Sequence, residues 1–164
     1  MRNLFHSILV VAFILAGCST GANAPTAHRA SDVQSRMDHV AISVANARAS
    51  AAFYRAAFGF KELRTPFGDA ADVVWLDVGG GIALHVFGGR AATIANEQER
   101  HLAFAVADLA SVTGFLTARG IAWQSFDGVQ GALQTRPDGV HQMFFRDPDG
   151  YWVEVNDALK ENTR

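Results

Sequence analysis

The sequence predicts an α+β protein: two tandem βαβββ units whose sheets pair into a half-barrel around a shared cleft. Three observations predict it. Two strand-like segments, His39-Val40-Ala41-Ile42-Ser43-Val44 and His101-Leu102-Ala103-Phe104-Ala105-Val106, lie sixty-two residues apart and share one size pattern. Each is followed by a helical stretch with matching caps, and each helix by three further strand-like segments. In both opening strands, period-two alternation puts a histidine and small residues on one face and bulky apolar residues on the other. The bulky face needs a helix to pack on. The histidine face leaves room for a ligand, so a polar cavity is expected between the copies.

The chain begins with a segment of another kind. Arg2 precedes an almost unbroken apolar run over residues 4–16, with Gly17 after it. The run is short for a bilayer-spanning helix and reads as a secretory signal over residues 1–17. Its end, Leu15-Ala16-Gly17-Cys18, resembles the lipobox of bacterial lipoproteins. The resemblance implies that Cys18 becomes the first mature residue and carries the lipid. An ordinary signal peptide with an incidental cysteine is the plainer reading; the chain's only cysteine standing at this place favours the lipoprotein. A lone cysteine also excludes an intramolecular disulfide. The expected localisation is therefore exported, lipid-anchored and periplasm-facing. Ser19 after the cysteine favours the outer membrane.

Residues 18–36 are mostly small and polar, with no apolar period, and read as a flexible tether. Residues 37–157, roughly 120 in number, are one domain's worth of chain, and 158–164 form a tail. Without Arg2 the chain carries 13 basic and 16 acidic side chains. So mild a balance gives no reason to expect nucleic acid as a partner, and contact with a membrane is expected through the lipid anchor only.

Within the domain the units are expected at about 37–88 and 99–157. After the first strand, Asn46 N-caps a helix through Phe58, and Gly59 ends it in the left-handed conformation. Strands follow near 60–65, 72–77 and 81–87, with Gly79-Gly80-Gly81 turning the last pair. After the second histidine strand, Asp108 and Gly120 bracket a helix holding Leu109, Val112, Phe115 and Leu116 at helical spacing. Strands follow near 121–125, 139–146 and 151–156. Asp147-Pro148-Asp149-Gly150 turns the last pair, proline fixing φ and Gly150 taking the positive-φ place. One unit of roughly 55 residues buries too little core alone, so the two must pack together. The short connector between them allows the units to pair between chains instead, making a homodimer.

The duplicated unit, the opening Asp38-His39-Val40-Ala41, the segment Phe53-Tyr54-Arg55-Ala56-Ala57-Phe58-Gly59-Phe60 and the ending Phe145-Arg146-Asp147-Pro148-Asp149-Gly150-Tyr151-Trp152-Val153-Glu154 together resemble the vicinal oxygen chelate superfamily. That group holds glyoxalase I, methylmalonyl-CoA epimerase, extradiol dioxygenases, and fosfomycin and bleomycin resistance proteins. Arg136-Pro137-Asp138-Gly139-Val140 and Glu154-Val155-Asn156-Asp157 make the resemblance glyoxalase-I-like. It covers about residues 36–157.

The resemblance implies a metal site supplied by the first and last strand of each unit, here His39, His85, His101 and Glu154. The residues support this on their own account. Alternation sets His85 with Ala83 and Phe87 against Leu84 and Val86, and Glu154 with Trp152 and Asn156 against Val153 and Val155. A carboxylate in so apolar a strand needs a partner, and a cation would meet that need. For any one of the histidines a hydrogen-bonded structural role is the commoner outcome; four coincident positions reverse that. Three imidazoles and a carboxylate suit one divalent ion of Zn, Ni, Fe, Co or Mn better than Ca or Mg. Glyoxalase I has Glu where this chain has His85, so the carboxylate best placed as its proton-transfer base is missing. His85 could take protons only if it is not a tight ligand, and Glu154 and His141 are the other candidates for proton transfer. If Arg146 pairs with Tyr151, His141 pairs with Asn156 and faces the Glu154 side; a slip of one residue turns it away.

These readings give a metal-dependent, glyoxalase-like enzyme of lyase or isomerase type, chelating two vicinal oxygens of a small molecule outside the cytoplasm. Glutathione is largely cytosolic, so a glutathione thiohemiacetal is not the expected substrate. The alternatives are an Fe(II) extradiol-type dioxygenase and a non-catalytic protein that sequesters an antibiotic or metabolite.

Overall fold

The structure is a computed structural model and describes residues 34–68, 72–91 and 93–159. The expected signal, the lipidated Cys18, the tether up to residue 33 and the tail from residue 160 lie outside the described residues.

The first unit runs β1 (His39–Ser43), α1 (Ala47–Phe58), β2 (Lys61–Leu63), β3 (Val73–Gly79) and β4 (Ile82–Phe87). The second runs β5 (His101–Ala105), α2 (Leu109–Ala118), β6 (Trp123–Gln124), β7 (Gln134–Thr135), β8 (His141–Arg146) and β9 (Trp152–Asn156). Strand β7 is the one element the sequence pattern did not predict; it is too short to show an alternation. Caps follow the side-chain chemistry. The Asn46 side chain accepts from the Ala49 amide and Asp108 from the Ala110 amide, each satisfying an orphan donor of its helix. Gly59 takes φ 72 and returns its N–H to the Arg55 carbonyl. In α2 the end falls on Arg119, with Gly120 in the left-handed region just after it.

Both sheets repeat one topology. The first is ordered β1-β4-β3-β2 and the second β5-β9-β8-β6, with β7 also on β8. In each, the opening strand lies parallel to the closing strand and occupies the edge. The bulky faces meet in one core, where Ile42, Val44, Leu84 and Val86 join Leu116, Met143, Val153 and Val155. Phe53 of α1 packs on Phe115 and Phe145, and Phe58 on Phe104, so the first helix is seated on the second unit. Truncating a fully buried Leu76, Leu84 or Leu116 to alanine would cost about 2–5 kcal/mol.

A polar corner joins the units. The Ser43 amide donates to the Tyr151 hydroxyl, and the Ala45 amide to Asp149 Oδ1, at 2.9 and 2.8 Å. Ser50 Oγ donates to the other Asp149 oxygen, and Arg90 pairs with Asp149 at 3.3 Å. The turn after β8 thus serves the first unit as much as its own hairpin. Among the described residues no helix is long and apolar enough to cross a membrane.

Candidate functional site

Each histidine face carries one pair of donors. In the first sheet β1 and β4 run in parallel register with His39 opposite Ala83 and His85 opposite Ala41, so the two imidazoles share a face two positions apart. Their rings stack at 4.1 Å and 13°, and His85 stacks in turn on Trp75 at 4.0 Å and 4°. His39 Nδ1 lies 2.8 Å from Asp38 Oδ2. A carboxylate only accepts, so Nδ1 donates to it and Nε2 is the atom left to ligate when the ring is neutral. His85 is buried, and burial followed by the charge of His39 lowers its pKa, keeping the ring neutral and able to ligate.

In the second sheet His101 and Glu154 meet. His101 Nδ1 lies 2.7 Å from the Gln98 carbonyl oxygen, again fixing the proton on Nδ1. Its Nε2 then faces Glu154 Oε2 at 3.1 Å. Two lone pairs face each other there. The contact is favourable only with a further proton between them, on His101 or on Glu154, or with a cation shared by both atoms. Two ligands of one ion at about 2.1 Å and a right angle sit roughly 3 Å apart, so the donor pair fits a transition-metal ion. The other Glu154 oxygen accepts from Asn156 Nδ2 at 2.8 Å and stands 3.8 Å from Arg136 Nη1.

The expected set of four therefore arrives as two pairs. His39 and His85 line one cavity and His101 and Glu154 another, with no lining residue in common. Among the described residues of one chain, no three His, Cys, Asp or Glu side chains gather to hold a metal. The convergence of His39, His85, His101 and Glu154 within a single chain is thus corrected. The physical reason lies in the packing: the units join through their helices and bulky faces, which leaves the two histidine faces turned to different spaces. The space lined by β1, β4 and β5 is correspondingly apolar, holding Val40, Leu84, Leu102 and Phe104, rather than the polar cavity expected between the copies.

Two further expectations change. His141 does not reach the Glu154 side. The register is Arg146 opposite Trp152 and Gln142 opposite Asn156, one residue off the expected pairing, so Gln142 and Phe144 share the face of Glu154. His141 is exposed, with Nδ1 3.2 Å from Asp157 Oδ2. The Glu154 carboxylate also has protein partners that its strand alone could not reveal. Arg136 comes from the loop after β7, where no periodicity points to it, and Asp38 would be assigned by alternation to the face opposite His39.

A model of the Glyoxalase/Bleomycin resistance protein/Dioxygenase superfamily matches residues 36–155. The chain belongs to this superfamily. Glyoxylase I 4 of Arabidopsis thaliana is 27% identical over 125 residues, covering 73% of this chain and 68% of the plant protein. Among solved structures, SMU.1112c superposes with a TM-score of 0.57 at 26% identity, over 75% of this chain and 98% of that one. Oxidase ChaP-H2 reaches a TM-score of 0.64 at 20% identity, over 76% and 94%. The lactoylglutathione lyase of Agrobacterium tumefaciens gives 0.52 at 22%, over 76% and 95%. The last two likenesses concern the fold. The superfamily's paired βαβββ architecture, with no closed barrel, is the one this chain adopts.

Proposed function

We propose that this protein is a metal-dependent, glyoxalase-like enzyme whose site is completed between two copies of the chain. His39 and His85 of one copy, once their stacked rings turn apart so that both in-plane lone pairs reach a common point, would hold one divalent ion together with His101 and Glu154 of the other. The observation that carries the reading is the His101–Glu154 pair, an imidazole nitrogen and a carboxylate oxygen 3.1 Å apart with the ring's other nitrogen already engaged. Two features support pairing between chains. Strands β1 and β5 are both sheet edges with one neighbour each. Every residue from His101 to Ala107 borders the apolar cavity, so β5 turns its free backbone edge towards it.

An ion held there would supply Lewis-acid chemistry towards a substrate's neighbouring oxygens. The chain's own residues do the rest. Asp38 and the Gln98 carbonyl hold their imidazoles in the ligating tautomer. Asn156 and Arg136 orient Glu154 by one oxygen and leave the other turned to His101 Nε2. Glu154 is the remaining candidate for moving a proton. Lyase or isomerase chemistry on a small molecule is the reading these features support. Its setting is proposed to lie outside the cytoplasm, with the chain held to a membrane by lipid on Cys18, a reading supported by the apolar run ending in Leu15-Ala16-Gly17-Cys18.

A non-catalytic binding protein is the second reading, favoured by the absence of a three-donor cluster among the described residues of one chain. Metal analysis of protein purified without chelator or affinity metal, with sedimentation on the same sample, separates the two. About one ion per chain in a dimer supports the enzyme. A metal-free monomer with wild-type ligand binding supports sequestration.

A further inference from the structure

The cavity beside His39 and His85 has a volume of about 640 Å³ and walls shaped for a flat ring. Trp75, His85 and His39 form a continuous stack, at 4.0 and 4.1 Å, with their planes within 4° and 13° of one another. Phe67 closes on Trp75 edge-on, at 6.0 Å and 82°, and Phe87 on His85 at 6.4 Å and 71°. Three large apolar side chains around this space stay open to solvent: Leu63 at 38%, Phe67 at 58% and Phe87 at 36%. Scattered single apolar residues on a surface need no explanation, but a cluster rimming a cavity marks a binding site. Trp75 lies flat on His85 although its buried Nε1 has no hydrogen-bond partner among the described residues, an unfavourable arrangement on its own. Its place serves the stack rather than a hydrogen bond.

Charge narrows the ligand. The charged side chains lining the cavity, among the described residues, are the carboxylates of Asp38 and Asp77, with no lysine or arginine. Arg36 stands at the rim beside Gly81, and its field falls on Asp38. A polyanion entering here meets two carboxylates with one rim guanidinium to offset them. An uncharged or cationic ring meets aromatic faces and favourable or neutral fields.

We propose that this cavity binds the aryl part of the substrate: an uncharged or cationic molecule whose two adjacent oxygens are carried next to an aromatic ring, which stacks among Trp75, Phe67 and Phe87. The inference rests on the metal-site reading for the oxygens alone; the aryl site stands on its own walls. It also discriminates against thiol conjugates carrying several carboxylates.

The test is a ligand-observed NMR titration of the full chain with three probes: 1-phenylpropane-1,2-dione, butane-2,3-dione and S-benzylglutathione. The aryl dione should bind at least about ten-fold more tightly than the aliphatic one, since ring stacking and burial supply more than 1.4 kcal/mol. S-benzylglutathione should bind more weakly than the aryl dione at low salt, the gap narrowing as salt screens the carboxylates. Phe67→Ala, at an exposed position, should weaken the aryl dione several-fold without changing butane-2,3-dione, and Trp75→Ala should weaken the aryl dione by a larger factor than the aliphatic one. Equal affinities for the two diones, unchanged binding by Phe67→Ala in folded protein, or tighter binding of the glutathione conjugate would overturn the proposal. Repeating the series after chelator dialysis separates the two readings. An aryl preference that survives in protein never able to take up metal leaves this inference standing and removes the metal site. Metal uptake without an aryl preference does the reverse.

Discussion

Tyr54, in the middle of α1, donates a 2.6 Å hydrogen bond to Asp147, ninety-three residues further along in the turn after β8. Both are buried. Asp147 also accepts from the Asp149 and Tyr151 amides, at 2.9 and 2.8 Å. Burial is the largest influence on this carboxyl and raises its pKa, against the lowering by Tyr54 and the two amides. As pH rises, the unfolded chain therefore loses this proton first. The native state binds more protons in that window, so Asp147's contribution to stability is full below the ordinary aspartate range and declines as pH climbs through the folded value. Tyr54→Phe removes a donor that favours the ionised form and lifts the pKa further. We expect a loss of about 1–3 kcal/mol near neutrality and a smaller one near pH 4. Urea denaturation at the two pH values measures both. An equal loss at each would show that the bond does not distinguish the two charge states.

Inter-chain assembly of the metal site gives a complementation result. His39→Ala and Glu154→Ala should each abolish metal uptake. Mixed, unfolded and refolded together, they should recover about a quarter of the wild-type metal, because half the dimers are heterodimers and each has one intact site of two. A site formed within one chain would recover none.

The groups around the ligands should show graded effects. Asp38→Asn leaves His39 without its carboxylate and should weaken metal affinity by roughly 10–100-fold while leaving the fold unchanged. Glu154→Gln should lose more, since it removes the anionic donor itself. His141→Ala should alter neither metal affinity nor turnover, its ring being bound to Asp157 on the far face. Competition with a metallochromic chelator resolves the three; a His141→Ala protein with impaired turnover would return that side chain to the site.

Two glycines should answer alanine in opposite ways. Gly150 has φ 92, and a Cβ there would run into the Ile94 carbonyl oxygen and Thr93. Gly150→Ala should destabilise by about 2–3 kcal/mol. Gly114, inside α2, has nothing within 4 Å of such an atom, and Gly114→Ala should stabilise by about 0.5–1 kcal/mol. Thermal melts of both variants decide; two shifts of the same sign would contradict the backbone account.

The repeat was legible because local chemistry sets it. Asn46, Gly59 and Asp108 act as caps, and alternation in β1 and β5 names the buried face without reference to anything distant. The site was legible in its members and not in its assembly. Alternation put His85 with Ala83 and Phe87 and Glu154 with Trp152 and Asn156; that these faces stand beside those of His39 and His101 was implied by the resemblance, and the parallel registers have them so. How one sheet is turned relative to the other depends on Phe53, Phe58 and Tyr54 packing on the second unit, a contact no periodicity encodes. His141 failed for a narrower reason. The Asp147-to-Gly150 turn closes with the Asp147 amide on the Tyr151 carbonyl, which places Trp152 rather than Tyr151 opposite Arg146 and moves every β8 side chain by one.

The corner where Ser43, Ala45, Ser50 and Tyr54 meet residues 147–151 sets an order of events during synthesis. The first unit is synthesised first, yet four of its polar groups wait for partners encoded near residue 150. Such widely separated contacts form late and slowly. Until residues 147–151 have emerged, the first unit lacks these contacts, and a ribosome stalled earlier in the second unit would release a fragment more open to proteolysis.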